Sequence, residues 1–149
     1  MDSILTVLWG LKTQAIFDVW TIEHVLSGIS VGRAVKKRNH NVLKKILCKD
    51  HALHSWYFAM TGVLFLAYCW ETIEHYLETG LAGFTVQYWF QGVEFWANRI
   101  IADPLMLIIG YAIANRWPRT VIPARLGSLT WLLVHIFIFP HSMYLHMLF

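Results

Sequence analysis

Four stretches of this chain are long and apolar enough to suggest bilayer crossing, and each of them carries ionisable residues. A membrane helix needs about 20 mostly apolar residues. The candidates run from about Thr13 to Gly32, Trp56 to His75, Trp96 to Arg116 and Leu126 to His146. Bare peptide groups find no partners in lipid, so such segments must be helical. The pattern predicts an all-α, polytopic membrane protein: one integral membrane domain over residues 1–149, built as a four-helix transmembrane bundle. Composition agrees. Hydrophobic residues make up 57% and charged residues 14%, against about 45–50% and ~25% in soluble domains. That excludes disorder and a collagen-like fibre, and two cysteines cannot build a disulfide framework. The first eleven residues, with Asp2 near the start and no basic cluster, do not read as a cleavable leader.

Between the second and third segments, Phe84 to Phe95 is rich in aromatic residues and glycine. Amphipathic rings favour the headgroup zone, so a short interfacial helix or re-entrant turn is expected there, covering one face of the bundle. Ten of the twelve Lys and Arg residues fall in residues 33–50 and 116–125. The positive-inside rule makes these two loops cytoplasmic and puts both termini outside. Basic loops beside membrane helices reflect topology, so no nucleic-acid partner is expected. The expected partners are the bilayer and an apolar small molecule, with a homo-oligomer or a larger membrane complex left open.

The ionisable residues are not scattered. At about 1.5 Å of rise per residue, Glu23, His24 and His135 fall near the centres of their segments. Glu71, Asp103 and His141 lie somewhat outward, and Asp18, Glu74, His75 and Arg99 further still. The inner halves, such as residues 58–66 and 107–114, are almost purely apolar. Ionised groups at such depth cost several kcal/mol each unless paired, hydrated or neutralised. Helical spacing aligns Glu71, Glu74, His75 and Glu78 on one face and puts Arg99 and Asp103 one turn apart, whereas Asp18, Glu23 and His24 diverge. The motif Thr21-Ile22-Glu23-His24 recurs as Thr72-Ile73-Glu74-His75, which leaves open a duplication or a coincidence.

Five buried carboxyls against a single fixed cation, Arg99, call either for protonation or for a bound cation. Carboxylates with imidazoles are ligands for iron, zinc or manganese. The expected metal ligands are Glu71, Glu74, His75, Asp103 and His135; His24 and His135 are candidate cofactor-binding residues; Glu74, Asp103 and Arg99 are candidate catalytic groups. The paired Glu-x-x-His motifs of di-iron bundles are missing, and no family resemblance follows. The expectation is a metal-dependent membrane enzyme, an oxidoreductase or hydroxylase, acting on a lipid or other apolar substrate from the outer leaflet. Three alternatives stand beside it: an accessory subunit of a membrane complex, a haem-binding electron carrier using two of His24, His75 and His135, and a proton or cation pathway.

Overall fold

A computed structural model describes residues 7–47 and 52–147. The expectation about a leader falls mostly on residues 1–6, and the end of the first basic stretch on residues 48–50, both outside the described residues. Within them every regular element is helical. Helix α1 spans Trp20–Leu47, α2 Ala52–Glu78, α3 Phe84–Phe90, α4 Asp103–Arg116 and α5 Val121–Phe137. A π-helical turn, Asn98–Ala102, leads into α4. Short 3-10 turns cover Pro118–Thr120 and Tyr144–Met147.

The boundaries follow local chemistry and correct three expectations. Helix α1 begins at Trp20 rather than near residue 13 because Asp18 caps it. Asp18 Oδ1 accepts the backbone N–H groups of Trp20 (2.7 Å) and Thr21 (3.3 Å), while Thr21 Oγ1 accepts the Asp18 N–H at 3.0 Å. The residues before it fold back, with Ile16 N–H on the Val7 carbonyl and Phe17 N–H on that of Leu8. Beyond Gly32, α1 continues through Arg33, Lys36, Lys37 and Arg38 to Leu47, so most of the stretch read as a basic loop is helix. It contains neither Gly nor Pro to stop the α-turns. The fourth segment ends at Phe137 instead of residue 146, because Pro140 cannot continue a helix. The aromatic connection does contain a helix, α3, which ends at Gln91 in the left-handed conformation.

One helical stretch, Pro118–Phe137, is long and apolar enough to cross a membrane among the described residues. Four spans are therefore not supported. Helix α4 has 14 residues, about 21 Å, short of a ~30 Å hydrocarbon core. The second half of α1 is basic, and Glu71, Glu74 and Glu78 interrupt the end of α2.

Helix α1 is the central element and packs against α2, α4 and α5. Its crossing with α4 is very close. A Cβ at Gly28 would collide with the Leu107 carbonyl, and one at Gly110 with the Val25 carbonyl; Gly32 lies against the Tyr111 side chain. Small residues let backbones approach this way. Two apolar clusters complete the packing, Ala59, Val63, Ala67, Leu107 and Tyr111 in one, Ile29, Ala114, Val121 and Ala124 in the other. The exterior reverses the usual order. Phe65, Phe84, Leu126 and Phe137 are between 63% and 78% exposed, whereas Lys12, Asp18, Glu71, Glu78 and Asp103 are no more than 2% exposed.

Candidate functional site

The buried charges converge where four segments meet: the loop before α1, the start of α1, the end of α2, and the stretch from Glu94 through the π-turn into α4. On α1, the helix turn that follows the Asp18 cap carries His24. Its Nδ1 lies 2.9 Å from the Trp20 carbonyl and 3.5 Å from Asp103 Oδ1, and its Nε2 lies 3.1 Å from Glu71 Oε1. On α2, Glu71, Glu74 and Glu78 point into the same region, and the exposed His75 touches its edge through Arg99. The π-turn rotates the start of α4 so that Asn98, Arg99, Ala102 and Asp103 are all buried. Such turns often occur at functional sites. Its disturbed backbone is tied down by Tyr68, whose hydroxyl donates to the Ile100 carbonyl at 3.1 Å.

Arg99 sits among the acids. Its Nη2 bonds Glu78 Oε2 at 2.5 Å and lies 3.3 Å from Glu94 Oε2; its Nε is 3.7 Å from Glu71 Oε2, and its Nη1 is 3.3 Å from His75 Nδ1. Lys12 supplies a second cation. Its ammonium donates to Glu78 Oε1 and stands 4.0 Å from Glu74. Asn98 Nδ2 bridges Asp18 (3.3 Å) and Glu94 (3.1 Å). Six carboxyls thus share two permanent cations. Burial pushes the Glu94 carboxyl up to about 10, with Asp103, Glu74 and Glu71 acting in the same direction and Lys12 opposing.

Of the expected site residues, His24, Glu71, Glu74, His75, Arg99 and Asp103 are brought together. His135 is not. It lies in a cage of rings, with centroids of Trp20, Trp131 and Tyr144 each 4.8 Å away and its Nδ1 on the Trp131 carbonyl at 2.9 Å. Its depth along α5 was legible, but the direction it faces depends on how α5 packs. Glu23 also stands apart, accepting the hydroxyls of Ser27 and Ser128, each at 2.6 Å. His141 lies beyond the end of α5. Asp103 does not cap α4 through its side chain: both carboxylate oxygens are buried without a hydrogen-bond partner. The residues missed by sequence reasoning are Lys12, Glu94 and Asn98, all in or beside loops without periodicity. Glu78 was visible on the α2 face but not counted. The one available signal for Lys12 was the charge imbalance itself.

His24, Glu71 and Asp103 could hold a metal ion. They are buried, and one ligand atom from each lies within 4.8 Å of the others. The Trp20 carbonyl selects the tautomer of His24 that donates from Nδ1, which leaves the Nε2 lone pair facing a carboxylate oxygen. Two acceptors that close require a proton or a cation between them. Glu71 Oε2 and both Asp103 oxygens carry unsatisfied lone pairs as well, and such buried groups are costly.

Beside this cluster lies a cavity of about 650 Å³. One face of α1, at Trp20, Glu23, His24, Ser27 and Val31, forms its floor; α2 contributes Val63, Ala67, Trp70 and Glu74, and α5 Leu132 and Ile136. Helix α3 borders it with Val86, Trp89 and Phe90. The Trp89 indole N–H anchors this cover by donating to the His135 carbonyl at 2.8 Å. Comparison with known proteins returns no match to any family model, curated protein or solved structure.

Proposed function

We propose that this protein is a metal-dependent enzyme embedded in a lipid bilayer, with its centre at His24, Glu71 and Asp103 and an apolar substrate in the adjoining cavity. The observation that carries the reading is the buried triad, with unsatisfied carboxylate oxygens on Glu71 and Asp103 and with His24 also lining that cavity. Lipid as the surrounding solvent is supported by the exposed large side chains around a charged interior. In water that arrangement would waste apolar area at about 25 cal/mol per Å² while desolvating many charges. In this reading α1, α2, α4 and α5 sit together in the membrane, with the basic half of α1 and Arg116 to Arg125 on the cytoplasmic side.

The donor set narrows the ion. Two carboxylates and one imidazole are oxygen-rich, which suits iron or manganese better than zinc. An ion there supplies a Lewis acid and a means of activating water or oxygen, in keeping with a hydroxylase-like or other oxidative reaction. The protein's own groups have separate tasks. The Trp20 carbonyl orients His24. Arg99 and Lys12 hold Glu78, Glu94 and the outer acids in place. Glu74 touches both the cluster and the cavity, the position required of a proton-transfer group. The haem alternative gains nothing from the geometry, because the three histidines meet different neighbours, His24 the carboxylate of Glu71, His75 Arg99, and His135 a cage of rings.

The test is elemental analysis of detergent-purified protein, with reconstitution by ferrous, manganous and zinc ions. Stoichiometric metal that is lost in His24→Ala and Asp103→Asn is expected. A folded wild-type chain that holds and takes up none of these ions overturns the proposal.

A further inference from the structure

We propose that the cavity binds a single long alkyl or isoprenoid chain ending in an uncharged oxygen head, an alcohol or aldehyde, and rejects the corresponding carboxylate. The inference rests on the preceding reading for its bilayer and for what the head meets. It adds the length and the charge of the ligand.

Volume sets the length. A methylene occupies about the volume of a water molecule, ~30 Å³, so 650 Å³ accommodates on the order of twenty carbon-sized groups. Shape and lining set the class. The walls contributed by Val63, Leu66, Ala67, Leu107, Leu132 and Ile136 are aliphatic and offer no partner to a second polar group along the chain. The ionisable groups of the lining, Glu23, His24 and Glu74, gather at and beside the α1 floor, while the α3 border adds the Thr85 hydroxyl, so the ligand has one main polar end. Access is sideways. Leu66 and Ile136, on α2 and α5, line the cavity and are also about half exposed, which opens a slot toward the surroundings of the helices.

Charge sets the head. It would lie beside His24 and Glu74, next to six carboxyls that share Lys12 and Arg99, both already engaged by Glu78. With a divalent ion balanced by Glu71 and Asp103, the remaining carboxyls Asp18, Glu74 and Glu78 still outnumber Lys12 and Arg99, so a fatty carboxylate would add a further negative charge to a site already in excess. A hydroxyl can donate to Glu74, and it has an oxygen to offer a cation in the centre. Like-charge juxtaposition costs several kcal/mol, so discrimination of at least about tenfold is expected.

The experiment uses detergent-purified full chain and a matched pair of probes, 9,10-dibromo-octadecanol and 9,10-dibromo-octadecanoate. Trp20, Trp70 and Trp89 line the cavity, and bromine quenches their emission on contact. Saturable quenching by the alcohol is expected at roughly tenfold lower concentration than by the carboxylate. Ala67→Phe fills the cavity and should raise the alcohol's half-saturation about tenfold. Val31→Trp, at a half-exposed rim position, does the same without overpacking the core. Metal content is measured on each preparation. Metal retained with quenching that is unsaturable, or equal for both heads, overturns the ligand assignment and leaves the metal centre standing. Saturable, alcohol-selective binding by a chain that takes up no metal supports the ligand assignment and overturns the metal centre.

Discussion

Replacing Gly28 with alanine tests the link between helix packing and the site. An added Cβ would meet the backbone of Leu107, its carbonyl oxygen above all. A backbone cannot rotate away as a side chain can, so α1 and α4 must separate by about 1 Å to restore ordinary contact. Overpacking of this kind costs about 1–3 kcal/mol, and the rigid neighbour puts it at the upper end. Alanine returns up to ~1 kcal/mol through helix propensity. A net loss of about 2 kcal/mol remains, a fall in Tm of about 4–8 °C for a chain of this length. The site feels the same displacement. Gly28 lies one turn after His24, and Leu107 one turn after Asp103, so separation widens the 3.5 Å approach of His24 to Asp103 and should weaken metal uptake. Gly127→Ala is the matched control. Its Cβ would meet only the Leu26 methyls, at 3.7 and 3.9 Å, and a gain of up to ~1 kcal/mol is expected. Thermal unfolding in detergent, read by circular dichroism beside metal content, checks both variants. A Gly28→Ala protein as stable and as metal-loaded as wild type, or a Gly127→Ala protein equally damaged, would refute the reasoning.

Lys12→Met leaves Glu78 with one cation fewer in a buried setting and should cost about 3–5 kcal/mol; the double variant Lys12→Met/Glu78→Gln should recover part of this in urea titrations, and no recovery would argue against the pair. Glu94 gives stability a pH dependence of known sign. Its folded pKa, about 10, lies above the ordinary glutamate value of 4.5, so between those limits the unfolded chain loses the proton first and folding weakens as pH rises. Glu94→Gln should flatten that decline, with the Tm difference between variant and wild type growing from pH 5 to pH 9; a constant difference would contradict it. His135→Phe should keep its metal and lose no more than about 1–2 kcal/mol, the worth of one hydrogen bond, because its neighbours are rings; loss of metal in this variant alone would restore it to the ligand set.

Periodicity made part of this arrangement readable. The α2 face with Glu71, Glu74 and Glu78 is a matter of 3.6 residues per turn and holds in the folded chain, with His75 at its exposed edge, whereas Arg99 and Asp103 reach the same cluster across a π-turn that the regular spacing did not foresee. Thr21-Ile22-Glu23-His24 shows where that reasoning stops. The two copies of the motif play different parts: Glu23 meets Ser128, whereas Glu74 stands beside Lys12. His24 joins Glu71, whereas His75 meets Arg99. Identical local sequence cannot reveal which neighbour each copy will face.

From its residues alone the chain was bound to be helical, to enclose acidic and imidazole groups, and to carry an aromatic cover between its second and third long segments. These properties depend on local backbone preference and on the cost of desolvating charge, which act at any packing angle. The folded arrangement alone decided that Lys12 and Glu94 reach the acids from outside the long helices, that His135 faces rings, and that the crossing of α1 and α4 at Gly28 and Gly110 sets the distance between His24 and Asp103. Contacts of that kind depend on chain reversal and on how closely two backbones approach, and no spacing along a single helix encodes them.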